Sequence, residues 1–498
     1  MNGAKVAVLE MQEKDKFMWI GGEVGTINSK WNLDHGALEI DRQEFMNEVC
    51  RRNMSRGNQV FVKRYVDNSG KLFDWAIEEI DKSWMEENTH VGSCPPDPRM
   101  VMDPSGYKFF TGTCIFRAPD AELSNWCWKK VLEHHQQKSI EDGCEWFYST
   151  HADYLEKDES GKVVAVVATD RTDGSHKRYK AKHAVVLSGG DFQGNEDMVR
   201  DLNDEYRHLA ESFENIDLAQ AIPIMLERDG STIQMAVWAG GHIEVGPRAG
   251  MNTSQASPDA PWGPGSPLLN QHGKRYADEC AGGTEGAGYM GPRQPKGALV
   301  AINDANWEET VYRMPPAHGA IDYRRSIGWP KTVEAMKAVK PGKEPTDVPG
   351  YEGVVKVFCA NTIEELVEIV GCWDEEEQKA AIESIENYNT YAKNGFDEEF
   401  AVDPRIMRVI DTAPFYAAVH DNTMLHPGLC QVAGVDVDSE MRVLDRTKNP
   451  IPGLYAVGNN AGNRFIVQYA TPISGLSLGY CLVEGMHVGE QIAKSLKA

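Results

Sequence analysis

The sequence predicts an α/β fold in which a second domain interrupts the first. Three observations indicate it: buried-strand patterns near both ends of the chain, a segment rich in Gly, Pro, Ser and Asn at 251–300, and a closing helix. Because strands return after that segment, it is placed as an insertion. We therefore expect an outer domain formed by 1–250 and 405–498, and an inserted domain at 251–404.

The composition is typical of a globular protein, with 41% hydrophobic and 25% charged residues among 498. The formal net charge of -24 argues against a nucleic-acid surface, because phosphate backbones require a basic footprint. No window holds about 18 consecutive apolar residues and the start lacks a signal-peptide layout, so we expect a cytoplasmic chain without a membrane span. The ten cysteines form no CxxC pair, which favours reduced, buried thiols and no metal site.

The first predicted element is a strand at 5–11, with the sequence KVAVLEM. A short apolar run that ends in an acidic residue, here Glu10, is typical of the second strand of a dinucleotide-binding βαβ unit. The first strand of such a unit and its Gly-rich turn lie about 20 residues upstream. Only four residues precede Lys5, so either the strand interpretation is wrong or half of a nucleotide site is missing from the chain as written.

The middle of the chain adds strands and helices in alternation. Apolar alternation predicts strands at 161–170 and within 175–192. Residues 362–394 predict two helices with Thr362 and Asp374 as N-caps. This order is typical of an α/β protein with an insertion.

Glycine loops follow two of the predicted strands, at Gly189-Gly190 and at Gly458. In α/β sheets, ligands bind outside the carboxyl ends of the strands. Three strand ends of this kind in one chain, with the one at Glu10, favour ligand binding over tight turns alone. The stretch TPISG at 471–475 then begins the last helix, whose first N–H groups carry a partial positive charge.

These pieces together resemble the flavoprotein subunits of fumarate reductase and succinate dehydrogenase, including 3-ketosteroid dehydrogenases and related single-chain enoate reductases. The matching stretches are KVAVLEM, GGEVGTINS, AVVLSGGDFQGN, DGSTIQMAVWAGG, GKRYADE, PFYA and IPGLYAVGNNAGNRF with TPISG, in the family's order. The resemblance implies a Rossmann-like FAD-binding domain interrupted by an α+β capping domain. It also implies non-covalent FAD, with the substrate between the cap and the isoalloxazine ring.

The resemblance assigns residues to the cofactor. Glu10 would bind the adenosine ribose, and Asn459 would contact the ribityl chain. Backbone N–H groups at Ile473 and Ser474 would meet the flavin C2 carbonyl, and this helix start would raise the electron affinity of the flavin. Asp229 belongs to the family's Gly-Asp-Gly turn. The other cofactor-binding residues that the resemblance implies are Gly21, Gly22, Gly25, Thr26, Gly189, Gly190 and Gly458.

The chain departs from the family in two ways. The family begins with a strand, a GxGxxG turn and a helix, and this chain starts at the end of that helix. We expect a misplaced start or a truncation rather than a natural loss, and the missing segment could also have carried an export signal. In addition, Arg228 replaces the first glycine of the Gly-Asp-Gly turn.

The arginines that clamp and protonate dicarboxylates in this family are not found at the expected places. Gly282-Gly283 stands where the proton-donating arginine is expected, and Tyr469 aligns roughly with the C-terminal clamp arginine. Fumarate and succinate are therefore disfavoured as substrates. A tyrosine could polarise a substrate oxygen and stabilise an enolate. Alternatively, Tyr469 packs at the domain seam with its hydroxyl hydrogen-bonded.

Two further residues are catalytic candidates, each with an alternative. His426 could be a general acid near the flavin, or an exposed turn residue. Arg275 could bind an anion, or form a salt bridge to Asp278 or Glu279.

The predicted function is an FAD-dependent oxidoreductase that moves a hydride between flavin N5 and an activated C=C or C–C bond. The substrate would be a small enone or enoate, with reduction the favoured direction. No second nucleotide fingerprint is visible, so a partner redox protein is the expected electron donor or acceptor. The alternatives are a ketosteroid-type dehydrogenase and a flavin-free remnant that acts as a binding or structural protein.

Overall fold

A computed structural model describes residues 4–17, 21–92, 94–116, 128–211, 215–216, 228–248, 250–251, 262, 265–280, 290–313, 328–346, 356–425, 430–469 and 471–496. The strands are β1 (Ala7–Leu9), β2 (Glu23–Gly25), β3 (Thr89–Val91), β4 (Thr113–Phe116), β5 (Glu145–Phe147), β6 (Thr150–Lys157), β7 (Val163–Asp170), β8 (His176–Lys180), β9 (Val185–Leu187), β10 (Asn215–Ile216), β11 (Gly250–Met251), β12 (Leu268–Leu269), β13 (Ala298–Asn303), β14 (Gly342–Thr346), β15 (Lys356–Ala360), β16 (Phe415–Asp421), β17 (Met424–Leu425), β18 (Cys430–Gln431), β19 (Arg442–Leu444) and β20 (Pro450–Ala456). The helices are α1 (Lys30–Asp34), α2 (Arg42–Arg52), α3 (Gln59–Ile77), α4 (Lys82–Asn88), α5 (Lys129–Glu141), α6 (Glu196–Leu202), α7 (Asp204–Ala210), α8 (Ser231–Trp238), α9 (Trp307–Arg313), α10 (Gly328–Ala338), α11 (Ile363–Val370), α12 (Glu375–Asn394) and α13 (Leu476–Ser495).

Two parallel strand pairs lie in separate sheets. β9 pairs with β20, with Leu454 opposite Val185, and β19 adds an antiparallel strand on the other side of β20. β1 pairs with β5 alone, with Ala7 opposite Glu145. Among the described residues no ladder joins β1 to β9. The strand that ends at Glu10 therefore lies in a different sheet from the two strands that end at Gly189-Gly190 and Gly458, which share one sheet.

The closing helix, which the sequence predicts, packs against the first half of the chain. α13 contacts α3 and β2, and its buried face includes Tyr480 and Val483. Gly479 lies so close to β2 that an added Cβ would stand 2.3 Å from the carbonyl oxygen of Gly25. The Tyr65 hydroxyl of α3 donates to that same carbonyl at 2.7 Å. This packing fixes the start of α13 against the turn before α1.

The inserted region contains an antiparallel five-stranded sheet in the order β12-β13-β16-β15-β14. α11 and α12 cover it, and Thr362 and Asp374 cap these helices as predicted. Apolar side chains from the sheet and both helices form its core. β16 lies after residue 404, so the sheet takes its middle strand from the segment that the sequence assigned to the outer domain.

The cysteines of the described segments are all free thiols, and most are buried. The reduced, compartment-dependent state of these thiols stays a prediction. No helix among the described residues is long and apolar enough to cross a membrane.

Candidate functional site

The carboxyl ends of β9 and β20 lie side by side and end in glycine. The Val457 N–H donates to the Leu187 carbonyl at 3.0 Å, which aligns the two ends. Gly190 and Gly458 adopt left-handed backbone conformations, with φ of 87° and 62°. A Cβ at Gly458 would stand 3.1 Å from the Cys481 sulfur. These positions suit glycine, and they leave the backbone close to whatever binds at the strand ends.

A chain of polar side chains follows these two strand ends. Asp191 is fully buried and accepts hydrogen bonds from Arg228 at 2.5 Å and from the Asn459 amide at 3.2 Å. Burial raises the pKa of Asp191, while the Arg228 charge opposes that rise. Bonds to two donors keep this carboxylate in place despite the cost of burial.

Arg464 extends this chain on the far side of Asn459. Its guanidinium donates to the side-chain amide oxygen of Asn459, and Arg464 is 0% exposed. Its Nε and Nη1 atoms have no hydrogen-bond partner in the described part of the chain. Glu484 of α13 lies nearby and accepts from the Gly458 N–H at 2.8 Å, while burial raises its pKa to about 7. A buried guanidinium with open donors is costly unless something else accepts from it.

The start of α13 forms the second half of the site, against the turn at 21–26. The Gly25 N–H donates to the Gly475 carbonyl at 3.1 Å, and a Cβ at Gly25 would stand 2.3 Å from the Ser474 carbonyl oxygen. The Thr113 hydroxyl donates to that Ser474 carbonyl at 2.8 Å. The predicted turn and the predicted helix start therefore meet.

Ser477 connects the two halves. Its backbone N–H donates to the Tyr469 hydroxyl oxygen at 3.1 Å. Its own hydroxyl donates to the side-chain amide oxygen of Asn459 at 3.1 Å. Tyr469 is 2% exposed and meets the Phe465 ring edge-on, with centroids 4.9 Å apart. The alternative in which Tyr469 is packed with its hydroxyl bonded is therefore observed. The same bond leaves the hydroxyl at a helix start.

Four other predicted residues near the turn have mainly structural partners. Gly21 and Gly22 carbonyls accept from backbone N–H groups at 3.3 and 2.7 Å. Thr26 bonds to the Gly112 backbone and accepts from an asparagine side chain. Ile473 is 1% exposed and belongs to the core cluster. These residues shape the turn and the helix start.

Glu10 and Asp229 lie outside the chain of polar groups. The Glu10 carboxylate accepts from the Gln12 N–H at 2.9 Å, at the end of β1. Asp229 precedes the Gly230 N-cap of α8, accepts from the Ser231 N–H at 2.9 Å and pairs with His151 at 3.1 Å. Burial alone would raise the pKa of Asp229, but the bonds from His151 and Ser231 lower it to about 2. Gly189 is nearer the strand ends, with its Cβ position 2.7 Å from Thr232.

Arg275 lies in the inserted region with its donors already used. It makes five bonds of 2.9–3.0 Å to Glu279, Asp397 and Glu399. The salt-bridge alternative is therefore the one observed, with Glu279 as the sequence suggested. A catalytic or anion-binding role would require breaking this network. The other candidate, His426, lies outside the described residues.

Sequence reasoning missed the polar chain as a unit. Asp191 directly follows the Gly189-Gly190 pair, and Arg464 follows the Asn-rich loop after Gly458. A charged residue directly after a strand-end glycine is the signal that could have identified Asp191, and a lone arginine in a loop of small and polar residues is the signal for Arg464. No local sequence pattern predicts that Glu484, in the middle of α13, lies next to the strand end at Gly458.

The residues at these strand ends fit a dinucleotide such as FAD. Besides the open Arg464 donors, the Gln193 amide nitrogen is buried without a partner in the described residues. Buried donors of this kind match a ligand that carries many acceptors. The left-handed glycines allow such a ligand to approach the backbone.

Comparisons with known proteins support this fit. The FAD binding domain family matches residues 2–478. Vinyl phenol reductase of Lactiplantibacillus plantarum is 24% identical over 371 residues, 71% of this chain and 68% of that protein. Fumarate reductase (cytochrome) of Shewanella frigidimarina is 21% identical over 501 residues, 100% of this chain and 74% of that protein. The matched region spans only 27% of the length of the NADH:acrylate oxidoreductase of Vibrio harveyi and 46% of the length of the urocanate reductase of Eggerthella lenta.

A solved structure shows the same fold. The 3-ketosteroid-delta4-(5alpha)-dehydrogenase of Rhodococcus jostii RHA1 superposes with a TM-score of 0.65 at 19% identity, over 99% of this chain and 92% of that one. The predicted Rossmann-like fold, the predicted relationship and the predicted FAD cofactor are thereby confirmed. The chain belongs to the FAD-binding domain family.

Proposed function

We propose that the chain is an FAD-dependent oxidoreductase acting on an activated C=C or C–C bond of a small enone or enoate, in the reductive direction. The observation that carries the proposal is a tyrosine hydroxyl at a helix start, where the Ser477 N–H donates to the Tyr469 oxygen at 3.1 Å. Relatives with matching sequences include a vinyl phenol reductase and a fumarate reductase.

The residues proposed to hold FAD are those of the two halves of the site. The glycine ends of β9 and β20 would pass beside the nucleotide, and Asn459 would contact the ribityl chain. Ser474 and the first turn of α13 would present backbone N–H groups to the flavin edge. Bound FAD supplies hydride chemistry at flavin N5.

Tyr469 is proposed to stabilise the oxygen of the substrate. The Ser477 N–H donates to its hydroxyl oxygen, and such a bond polarises the O–H group and makes it a stronger donor. A single hydroxyl donor suits a carbonyl or enolate oxygen. A dicarboxylate is instead bound best by the two-pronged guanidinium group of arginine. This difference favours an enone or an enoate over fumarate.

The test is turnover under anaerobic conditions with a reduced dye as electron donor. We expect the flavin-loaded protein to reduce an enone, and Tyr469→Phe to lower kcat/KM by about 10- to 1000-fold, the range for one donor to a developing oxyanion. Tyr480→Phe is the matched control, because Tyr480 is buried in the same core and its hydroxyl lacks a partner in the described residues. Equal losses in both variants would contradict the role of Tyr469.

Two other outcomes correspond to the alternatives. Oxidation of a saturated ketone without reduction of the enone would favour a ketosteroid-type dehydrogenase, which the Rhodococcus structure makes the second candidate. A purified chain without absorption at 350–500 nm, even after incubation with FAD, would favour the flavin-free remnant. A partner redox protein as the natural electron donor remains part of the proposal.

A further inference from the structure

Arg464 is a buried charge without enough partners. It is 0% exposed, yet its acceptors in the described part of the chain are the Asn459 side-chain oxygen and the weakly accepting Cys481 sulfur, and its Nε and Nη1 atoms have no hydrogen-bond partner there. The other fully buried guanidinium groups of the described residues donate to carboxylates, as that of Arg275 does. A guanidinium that gives up hydration without replacement bonds is expensive, so its position indicates an absent acceptor.

The place of Arg464 restricts what that acceptor is. Asn459 joins it to Asp191, at the carboxyl ends of two neighbouring parallel strands. Dinucleotides bind at such strand ends, and Gly190 and Gly458 open the backbone there. The occupant is therefore the nucleotide rather than the substrate.

Of the parts of FAD, only the pyrophosphate is anionic at neutral pH. Phosphate oxygens pair with guanidinium groups through short, charge-assisted bonds, often two at once. The nearby charges are Arg228, which is held by Asp191 at 2.5 Å, and two buried carboxyl groups, Glu484 of α13 and Glu244. Arg228 and Asp191 offset each other. Glu244 accepts from the Asn463 N–H, whereas Glu484 accepts from the Gly458 N–H, so Glu484 is the carboxyl group that opposes Arg464 at the strand end.

We propose that Arg464 is the anchor for the FAD pyrophosphate, with Glu484 as the opposing charge that limits its strength. The inference rests on the proposed binding of FAD at the strand ends. Arg464 acts by binding the cofactor, and it takes no part in the reaction on the substrate.

The test is a binding series on flavin-stripped protein, with FAD, ADP and riboflavin titrated separately by calorimetry. In the Arg464→Gln variant we expect FAD and ADP to bind about 10- to 100-fold more weakly, the range for a charge-assisted pair, while riboflavin changes by less than about twofold. Arg464→Lys should recover part of the loss, because it keeps the charge but not the planar donor pair. Arg248→Gln is the charge-matched control, since Arg248 donates to the Glu244 and Leu202 backbone carbonyls and to no side chain of the polar chain, and it should change none of the three affinities.

Glu484→Gln predicts a change of opposite sign. Its amide can still accept from the Gly458 N–H, but the opposing charge is gone, so ADP and FAD should bind about 3- to 10-fold more tightly at pH 8. A merely structural role of this cluster would weaken binding in this variant as well. The affinities of Glu484→Gln also test the role of Arg464 if the Arg464→Gln variant does not fold.

The outcomes separate this inference from the proposed function. Folded Arg464→Gln that binds ADP as tightly as the wild type, or that loses riboflavin and ADP equally, would overturn the pyrophosphate anchor alone. Wild-type protein that binds riboflavin without ADP would do the same. Wild-type protein that binds none of the three would overturn the FAD assignment of this site together with the inference.

Discussion

Arg275 and Arg464 are both buried, and they differ in what their donors meet. Arg275 directs all of its bonds at three carboxylates of the inserted region, at 2.9–3.0 Å. Arg464 meets one amide oxygen at the strand ends of the outer region. The sequence offers only Arg275 as a candidate anion-binding residue, whereas the structure shows that the donors of Arg275 are saturated and those of Arg464 are not. Both arginines are buried, so burial does not distinguish a structural arginine from one that binds a ligand. What distinguishes them is whether all of the guanidinium donors already have acceptors within the protein.

The largest predicted effect is on the saturated arginine. Arg275→Met would leave Glu279 and Asp397 buried without their cation, and should lower the free energy of unfolding by about 3–5 kcal/mol. Arg405→Met is the control, because Arg405 also bridges two aspartates but is 54% exposed, and it should cost less than about 1 kcal/mol. Urea denaturation of both variants measures the difference. Similar small losses would remove the distinction drawn between the two arginines.

The unsaturated arginine should behave differently in protein without cofactor. Replacement of Arg464 by Met removes a desolvated charge with few bonds, so the free energy of unfolding should stay within about 1 kcal/mol of the wild type or rise. The measurement is urea denaturation of flavin-stripped protein. A loss as large as that of Arg275→Met would show that Arg464 holds the fold together.

Glu484, which lies beside Arg464, should make the free energy of unfolding depend on pH. Burial raises its pKa from 4.5 to about 7, so the folded state holds a proton that the unfolded state has released. Wild-type stability should therefore fall as pH rises from about 4.5 through 7, and the penalty is fully present above that range. Glu484→Gln should be more stable than the wild type by about 1–3 kcal/mol at pH 8 and nearly equal near pH 4.5. Glu490→Gln, at an exposed position, should show no such difference when denaturation is followed at both pH values.

The smallest predicted effect concerns a half-exposed pair. Bonds to Asp229, and then to Asp153, raise the pKa of His151 to about 9. The stabilisation is therefore fully present below about pH 6.5 and is lost as pH rises through 9. Because the two side chains are 28% and 41% exposed, His151→Gln should cost about 0.5–1 kcal/mol at pH 6 and nothing above pH 10. An NMR titration of His151 with an ordinary pKa would refute the pairing.

Elements set by local pattern could be predicted from the sequence. The strand at 5–11, the closing helix and the caps Thr362 and Asp374 each depend on residues a few positions apart. Contacts across the chain could not be predicted in this way. Asn459 and Asp191 are 268 residues apart, and the Arg275–Asp397 pair spans 122. Only the fold decides which of two buried arginines meets carboxylates.

The separation of β1 from β9 was also beyond local pattern. The sequence shows that both are strands ending in polar or glycine positions, but pairing depends on long-range register. In the structure β1 pairs with β5 and β9 pairs with β20. The middle strand of the inserted sheet, β16, shows the same limit, because a composition change at 404 says nothing about which sheet accepts the next strand.

Ser477 has a thermodynamic consequence that follows from its two bonds. Its N–H holds the Tyr469 hydroxyl and its Oγ holds the Asn459 amide, so one short helix turn is shared by both halves of the site. A ligand that displaces Tyr469 must therefore disturb the position of Asn459 as well. Linkage is reciprocal: whatever factor such a ligand imposes on nucleotide affinity, the nucleotide imposes on the affinity for that ligand. Substrate and cofactor then become mutual effectors without any movement of domains.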